Sequence, residues 1–153
     1  MKTLAIISQK GGSGKTTLAV HMAVCAAMRG DKTALIDIDP QRSAFGWNES
    51  RPDGMKLDAV TASARQLSGL LAKAKAGGVD LAIIDSAPHS DDDAAIAAQL
   101  ADYVLIPCRP ARFDLDAIAS TVDIARAANT PAAVIINAAP RALPRPAVRA
   151  VPR

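Results

Sequence analysis

Aromatic side chains are nearly missing: the 153 residues include two Phe, one Trp and one Tyr. Small and branched aliphatic residues replace them, so hydrophobic residues still make up 50% of the chain, enough for a sizeable core. That composition suits strands buried on both faces. Cysteine is also scarce. Cys25 and Cys108 lie far apart with no C-x-x-C pair, which excludes the common zinc and dithiol motifs. Both are expected to be buried free thiols in a reducing compartment. No apolar run reaches the ~18 residues of a membrane span. The opening residues are expected to form a strand rather than a signal peptide.

Acidic residues are absent from 139–153, which hold Arg141, Arg145, Arg149 and Arg153. The formal charge of +3 therefore misleads, because without those four arginines the chain has 14 basic against 15 acidic residues. The same segment contains Pro140, Pro144, Pro146 and Pro152 and lacks an apolar period. Its arginines recur every fourth residue, but the prolines forbid a continuous helix. The expectation is one folded domain over 1–138 and a disordered Pro/Arg-rich tail over 139–153.

What the chain does have is Lys10-Gly11-Gly12-Ser13-Gly14-Lys15-Thr16-Thr17. An apolar run at 4–7 precedes it. A helical pattern at 17–28 follows, with Leu18, Met22 and Cys25 at i, i+4 and i+7. A strand, a glycine-rich loop and a helix in that order form a phosphate cradle. Glycines let the backbone curl so that successive N–H groups face an anion, and the helix N-terminus adds free donors and a positive dipole end. Lys15 is placed to reach the β- and γ-phosphates of a nucleoside triphosphate, and Thr16 to put its hydroxyl on Mg²⁺.

Further along, 33–37 reads as a strand running into Asp37-Ile38-Asp39-Pro40, so the chain opens with a βαβ unit and a parallel sheet. Ligands of such sheets lie beyond the carboxyl ends of the strands, which brings Asp37 and Asp39 beside the phosphates. Gly46-Trp47 is expected to end a short helix, and 55–60 is a weak strand candidate. Ser63-x-x-Gln66 is a capping box ahead of Leu67, Leu70, Leu71 and Ala74, with Gly77-Gly78 as the stop. Leu81-Ala82-Ile83-Ile84-Asp85 is an apolar strand ending in a carboxylate, the form of a Walker B segment. Ser90 with Asp91, Asp92 and Asp93 opens the next helix, where three acids suit the dipole. A strand at 103–107 is followed by Asp114 as the cap of a helix carrying Leu115, Ile118, Val122 and Ala125. A last strand at 132–136 ends at Asn137.

The loop departs from G-x-x-x-x-G-K-[ST], since Gln9 stands where the first glycine belongs and Lys10 adds a second lysine. This K-G-G-x-G-K-T form resembles the deviant Walker A loop of the ParA/MinD family of P-loop ATPases. Asp37-Ile38-Asp39-Pro40-Gln41, Asp85-Ser86-Ala87-Pro88 and the segment from Ala101 to Pro110 resemble that family's later motifs, in the same order. The resemblance covers 1–138 and is nearest to short ParA-type partition ATPases. It implies a doubly wound, mostly parallel sheet with helices on both faces. Members normally continue with at least one more strand and two helices, so a C-terminally truncated version is expected.

The resemblance also implies slow, partner-stimulated hydrolysis of ATP with Mg²⁺. Gly11, Gly12, Ser13, Gly14, Lys15, Thr16 and Thr17 would bind the nucleotide, and Asn137 would read the adenine edge. Thr16, Asp37 and Asp85 would serve the metal, with Lys15 and Asp39 catalytic and Asp39 orienting the attacking water. Lys10 would reach the nucleotide of a second subunit, as an arginine finger does. The implied partners are a second copy of the chain, non-specific DNA and a ParB-like adaptor, in a cytoplasmic, nucleoid-associated setting without a membrane. Two alternatives remain: a MinD-like or other cargo-positioning ATPase, and a truncated nucleotide-binding protein without turnover.

Overall fold

Strands that are apolar on both sides need cover on both sides, and the chain meets that need with two helical layers. The computed structural model describes residues 1–111, 114–115, 118–139 and 149–150. The elements are β1 (Lys2–Ile6), α1 (Lys15–Met28), β2 (Thr33–Asp37), α2 (Ser43–Glu49), β3 (Asp58–Thr61), a 3₁₀ turn (Ala64–Gln66) leading into α3 (Leu67–Ala76), and β4 (Leu81–Asp85). Then come α4 (Asp91–Leu100), β5 (Tyr103–Cys108), α5 (Ile118–Ala127), β6 (Ala132–Ile136) and β7 (Arg149–Ala150).

The strand order is β3-β2-β4-β1-β5-β6-β7, and the first six strands run parallel. Alternate residues of each strand feed opposite faces. Leu4, Ile6, Leu35, Ile83 and Leu105 pack with Ala19, Val20 and Ala23 of α1 and Ala44 of α2. Ala5, Ile36, Ala82, Ile84, Val104 and Ile106 pack with Leu67 and Leu71 of α3, Ala94, Ala97 and Ala98 of α4, and Ala125 of α5. This is the expected doubly wound arrangement. It places the ends of β1, β4 and β2 side by side, with Ile6, Asp85 and Asp37 in register.

Several local expectations need correction. The face of α1 buried on the sheet is Ala19, Val20, Ala23 and Ala26, while Leu18 and Met22 are only partly covered and Cys25 is exposed. Small side chains let the helix approach the sheet closely, and the longer apolar residues flank that seam. Of the two thiols only Cys108 is buried, and both are free. Gly46 and Trp47 lie inside α2 rather than at its end. β3 begins at Asp58, later than expected, after Asn48 has bound Leu57 through both its amide groups. Asp114 and Leu115 are helical, and Leu115 is 50% exposed, so the apolar stripe of this region starts further on.

The capping box forms as expected: the Ser63 N–H and hydroxyl both donate to Gln66 Oε1 at 2.9 Å. Most of the 139–153 segment falls outside the described residues. Within it Arg149–Ala150 pairs antiparallel with Ala133 and Val134 of β6, so the expected lack of structure is corrected at those two positions. Beyond β5, β6 offers unpaired backbone groups that an added strand can satisfy.

Candidate functional site

The loop after β1 turns by means of its glycines. Gly12 and Gly14 have φ of 71° and 98°, left-handed values that a side chain disfavours. At Gly14 there is a second reason: a Cβ would collide with the amide of Asn137. Asn137 Nδ2 donates to the Ser13 carbonyl at 3.0 Å, and Asn137 Oδ1 accepts from the Ala138 N–H. Asn137 thus fastens the end of β6 to the loop. An amide carries two N–H donors, so one remains for a ligand.

Lys15 starts α1 and is 6% exposed. Its ammonium donates to the carbonyls of Ser8 at 3.2 Å and Lys10 at 3.4 Å. Burial lowers its pKa, opposed by the nearby carboxylates of Asp85 and Asp39. The side chain therefore lies folded into the loop, with neutral carbonyls as its hydrogen-bond partners.

Asp85 ends β4 with no exposed surface, and neither carboxylate oxygen has a hydrogen-bond partner. Burial pushes its pKa up to about 7. The Thr16 hydroxyl lies near enough to temper that rise without meeting hydrogen-bond geometry at either oxygen, Asp37 adds to the rise and Lys15 opposes it. Ser13 Oγ, 2% exposed at residue level, is likewise without a partner. Unpaired buried polar atoms are rare in folded proteins. Here three of them occur in Asp85 and the loop beside Lys15.

Asp37 is placed one strand away and is 1% exposed. It accepts the Asp39 N–H on Oδ1 and the Phe45 N–H on Oδ2, both at 3.0 Å. Burial raises its pKa, and these backbone donors hold the rise back. Asp37 thus ties down the loop between β2 and α2. In that loop Asp39 accepts the Gln41 N–H at 2.9 Å. A cleft of about 390 Å³ opens beside it, lined among others by Asp39, Arg42, Thr61, Ser63 and Asp93.

Lys10 is half-buried and pairs with Asp114 at 2.9 Å. The Gln9 N–H donates to Thr121 Oγ1 at 3.2 Å, which anchors the loop to α5. The guanidinium of Arg109 lies about 3.5 Å from where a Gly12 Cβ would sit. The exposed His89, at φ 57°, lies beside Gly11, its Nε2 4.0 Å from where a Gly11 Cβ would sit. The structure thus gathers Lys10, the 11–17 loop, Asp37, Asp39, Asp85 and Asn137 at one end of the sheet. The sequence did not point to the tethering roles of Asp114, Thr121 and Asn137. Each of these side chains meets a partner more than a hundred residues away, a backbone group in two of the three cases, and no local spacing marks them.

The donor set fits a nucleotide with a hard divalent cation. It combines a buried ammonium, a helix N-terminus, hydroxyls and an unpartnered carboxylate. Residues 4–143 match the family described as the CobQ/CobB/MinD/ParA nucleotide binding domain. A curated relative, "Maintenance of carboxysome distribution protein A" of Gloeobacter kilaueensis, is 37% identical over 124 residues, covering 79% of this chain and 55% of that protein. A plasmid partition protein from Borrelia burgdorferi superposes with a TM-score of 0.74 at 20% identity, covering 94% of this chain and 82% of that one. Cobyrinic acid a,c-diamide synthase from Mycobacterium smegmatis, solved with a bound ATP analog and magnesium, superposes with a TM-score of 0.67 at 19% identity, covering 88% and 74%. The chain spans about half the length of the curated relatives it matches.

Proposed function

Because this chain belongs to the CobQ/CobB/MinD/ParA nucleotide-binding family, we propose that it is a Mg²⁺-dependent ATPase of the ParA type. The observation that carries this reading is Asp85, a fully buried carboxylate with two unpartnered oxygens near Thr16 and Lys15. Thr16 and Asp85 would hold the magnesium ion, Asp85 through a water. Bound there, Mg²⁺ would offset charge on the β- and γ-phosphates.

Lys15 exchanges the carbonyls of Ser8 and Lys10 for phosphate oxygens. The N–H groups of residues 11–17 line the phosphates. Asp37 holds the loop that carries Asp39, and so supports the metal site from behind. Asp39 orients a water for in-line attack, and the cleft beside it gives that water room. Asn137 turns its free amide hydrogen toward the adenine. Lys10 serves the nucleotide of a second subunit, so ATP brings two copies together and hydrolysis parts them.

On this reading the protein works in the cytoplasm on the nucleoid, in plasmid or chromosome partition, with a ParB-like adaptor as activator. DNA binding is non-specific and salt-dependent. If the four arginines of 139–153 each neutralise one phosphate, log affinity falls with log salt at a slope of about −3.6. A second reading, cargo distribution without plasmid partition, draws on the printed name of the 37% identical relative. Fluorescent ATP-analogue binding and phosphate release, each with Mg²⁺ or EDTA and with or without DNA, test the proposal. Metal-dependent binding and turnover support it. Binding that ignores Mg²⁺, or no turnover with DNA and adaptor present, would count against it. DNA anisotropy across salt tests the DNA part of the proposal: no measurable binding at low salt would count against partition on the nucleoid.

A further inference from the structure

Both lysines of the loop are held by their own chain. Lys15 donates to loop carbonyls, one of them that of Lys10. Lys10 is tied at its other end as well, with its ammonium 2.9 Å from Asp114 Oδ1. The two members of that pair are unequally buried. The Lys10 side chain is 41% exposed, whereas that of Asp114 is only 11% exposed. Among the described residues no second cation pairs with Asp114. Its charge also reaches the Cys108 thiol, whose pKa is raised by burial first and by Asp114 second.

A carboxylate this far from water depends on its counter-ion. Removing the lysine leaves a buried charge without compensation, and that is the costly half of any ion-pair exchange. The half-exposed Lys10 would otherwise be free to turn toward a second molecule. We infer that Asp114 is a positioning residue that withholds Lys10 within its own subunit, so that formation of the ATP dimer has to open the Lys10–Asp114 pair. The inference rests on the proposal that Lys10 serves a second subunit's nucleotide, and it adds a control on that step. Single subunits with bound ATP then stay apart until protein concentration or an activating partner offsets the exchange.

Light scattering with a non-hydrolysable ATP analogue and Mg²⁺, across protein concentration, tests it on the full chain. Asp114→Asn removes the charge and keeps the shape. It is expected to lower the dimer dissociation constant about tenfold, the scale of a partly buried ion pair. The affinity of the single subunit for a fluorescent ATP analogue should be unchanged, which also reports an intact fold. Asp114→Glu restores the charge and should behave as wild type. Asp114→Ser is the second variant should the amide fail to pack. Asp114→Asn that dimerises as wild type, or more weakly, overturns the inference, since weaker association means Asp114 aims Lys10 rather than withholding it. Lys10→Gln separates the two levels. If it dimerises normally, the trans role of Lys10 is wrong. If it fails to dimerise while Asp114→Asn is unchanged, only the control by Asp114 is wrong.

Discussion

Asp37 and Asp85 end neighbouring strands at the same rung of the sheet, both almost completely buried, yet their surroundings are opposite. Asp37 accepts two backbone N–H groups and so holds the loop after β2. Asp85 accepts none. The same side chain is closed in one place and open in the other. A carboxylate that satisfies its own backbone contributes to folding. One kept dry without partners weighs against folding, and the proposed ligand role of Asp85 rests on that difference. The pKa values follow that division. Burial raises both, but backbone donors restrain Asp37, while Asp85 rises to about 7.

The contrast breaks most visibly at Asp37. Asp37→Ala should destabilise the chain by roughly 2–4 kcal/mol, because two part-buried N–H groups lose a charged acceptor. Urea unfolding checks this, and a loss below about 1 kcal/mol would mean that the loop holds itself.

At Asp85 the sign reverses. Its folded pKa lies above the ordinary carboxylate value, so between about pH 4 and 7 the folded state binds more protons than the unfolded chain. Stability contributed by this group therefore falls as pH rises through that window and stays low above it. Asp85→Asn cannot ionise. Without nucleotide it should be more stable than wild type by roughly 2–4 kcal/mol at pH 8, with the gap closing toward pH 4. Urea midpoints at pH 8 and pH 4.5 measure it, and a variant less stable at pH 8 would remove the basis for calling the site open.

Asn137 sharpens the comparison from just beyond a third strand, β6, since its bond to the Ser13 carbonyl should make Asn137→Ala cost about 1–2 kcal/mol. A change smaller than about 0.5 kcal/mol in the same unfolding assay would show that the loop keeps its shape without this tether. At the rim of the cleft beside Asp39, Ser63→Ala should lose about 0.5–1 kcal/mol by opening the exposed capping box. A loss below about 0.2 kcal/mol in the same unfolding assay would show that α3 starts without this cap.

The parts legible in the sequence were those written in local spacing. The glycine-lysine loop between an apolar run and a helical pattern, the strand-end aspartates and the Ser63–Gln66 box all declare themselves within ten residues. The two-sided cover of the strands follows from runs with no polar face. What stayed hidden depends on distance in sequence. Nothing near Asp114 says that it meets Lys10, and nothing near Asn137 says that its amide occupies the space left by Gly14. The sheet-facing side of α1 was misjudged because Leu18, Met22 and Cys25 have the larger apolar surface. Close packing of helix on sheet favours Ala19, Ala23 and Ala26 instead. Asp37 and Asp85 look alike as strand-end acids, and only the folded backbone around each tells the closed one from the open one.

The central claim is that Asp85 and Lys15 form a site for a magnesium nucleotide. Its most direct test is urea unfolding of the wild type, Lys15→Ala and Asp85→Asn at pH 8, each with ATP and Mg²⁺ or with ATP and EDTA. A ligand at a hundred times its dissociation constant adds about 2.7 kcal/mol to the folded state. The account predicts a gain of that order for wild type that needs Mg²⁺, none for Lys15→Ala, and for Asp85→Asn a residual gain that is the same with Mg²⁺ or EDTA. Wild type that gains nothing from ATP and Mg²⁺, or Lys15→Ala that gains as much as wild type, would contradict it.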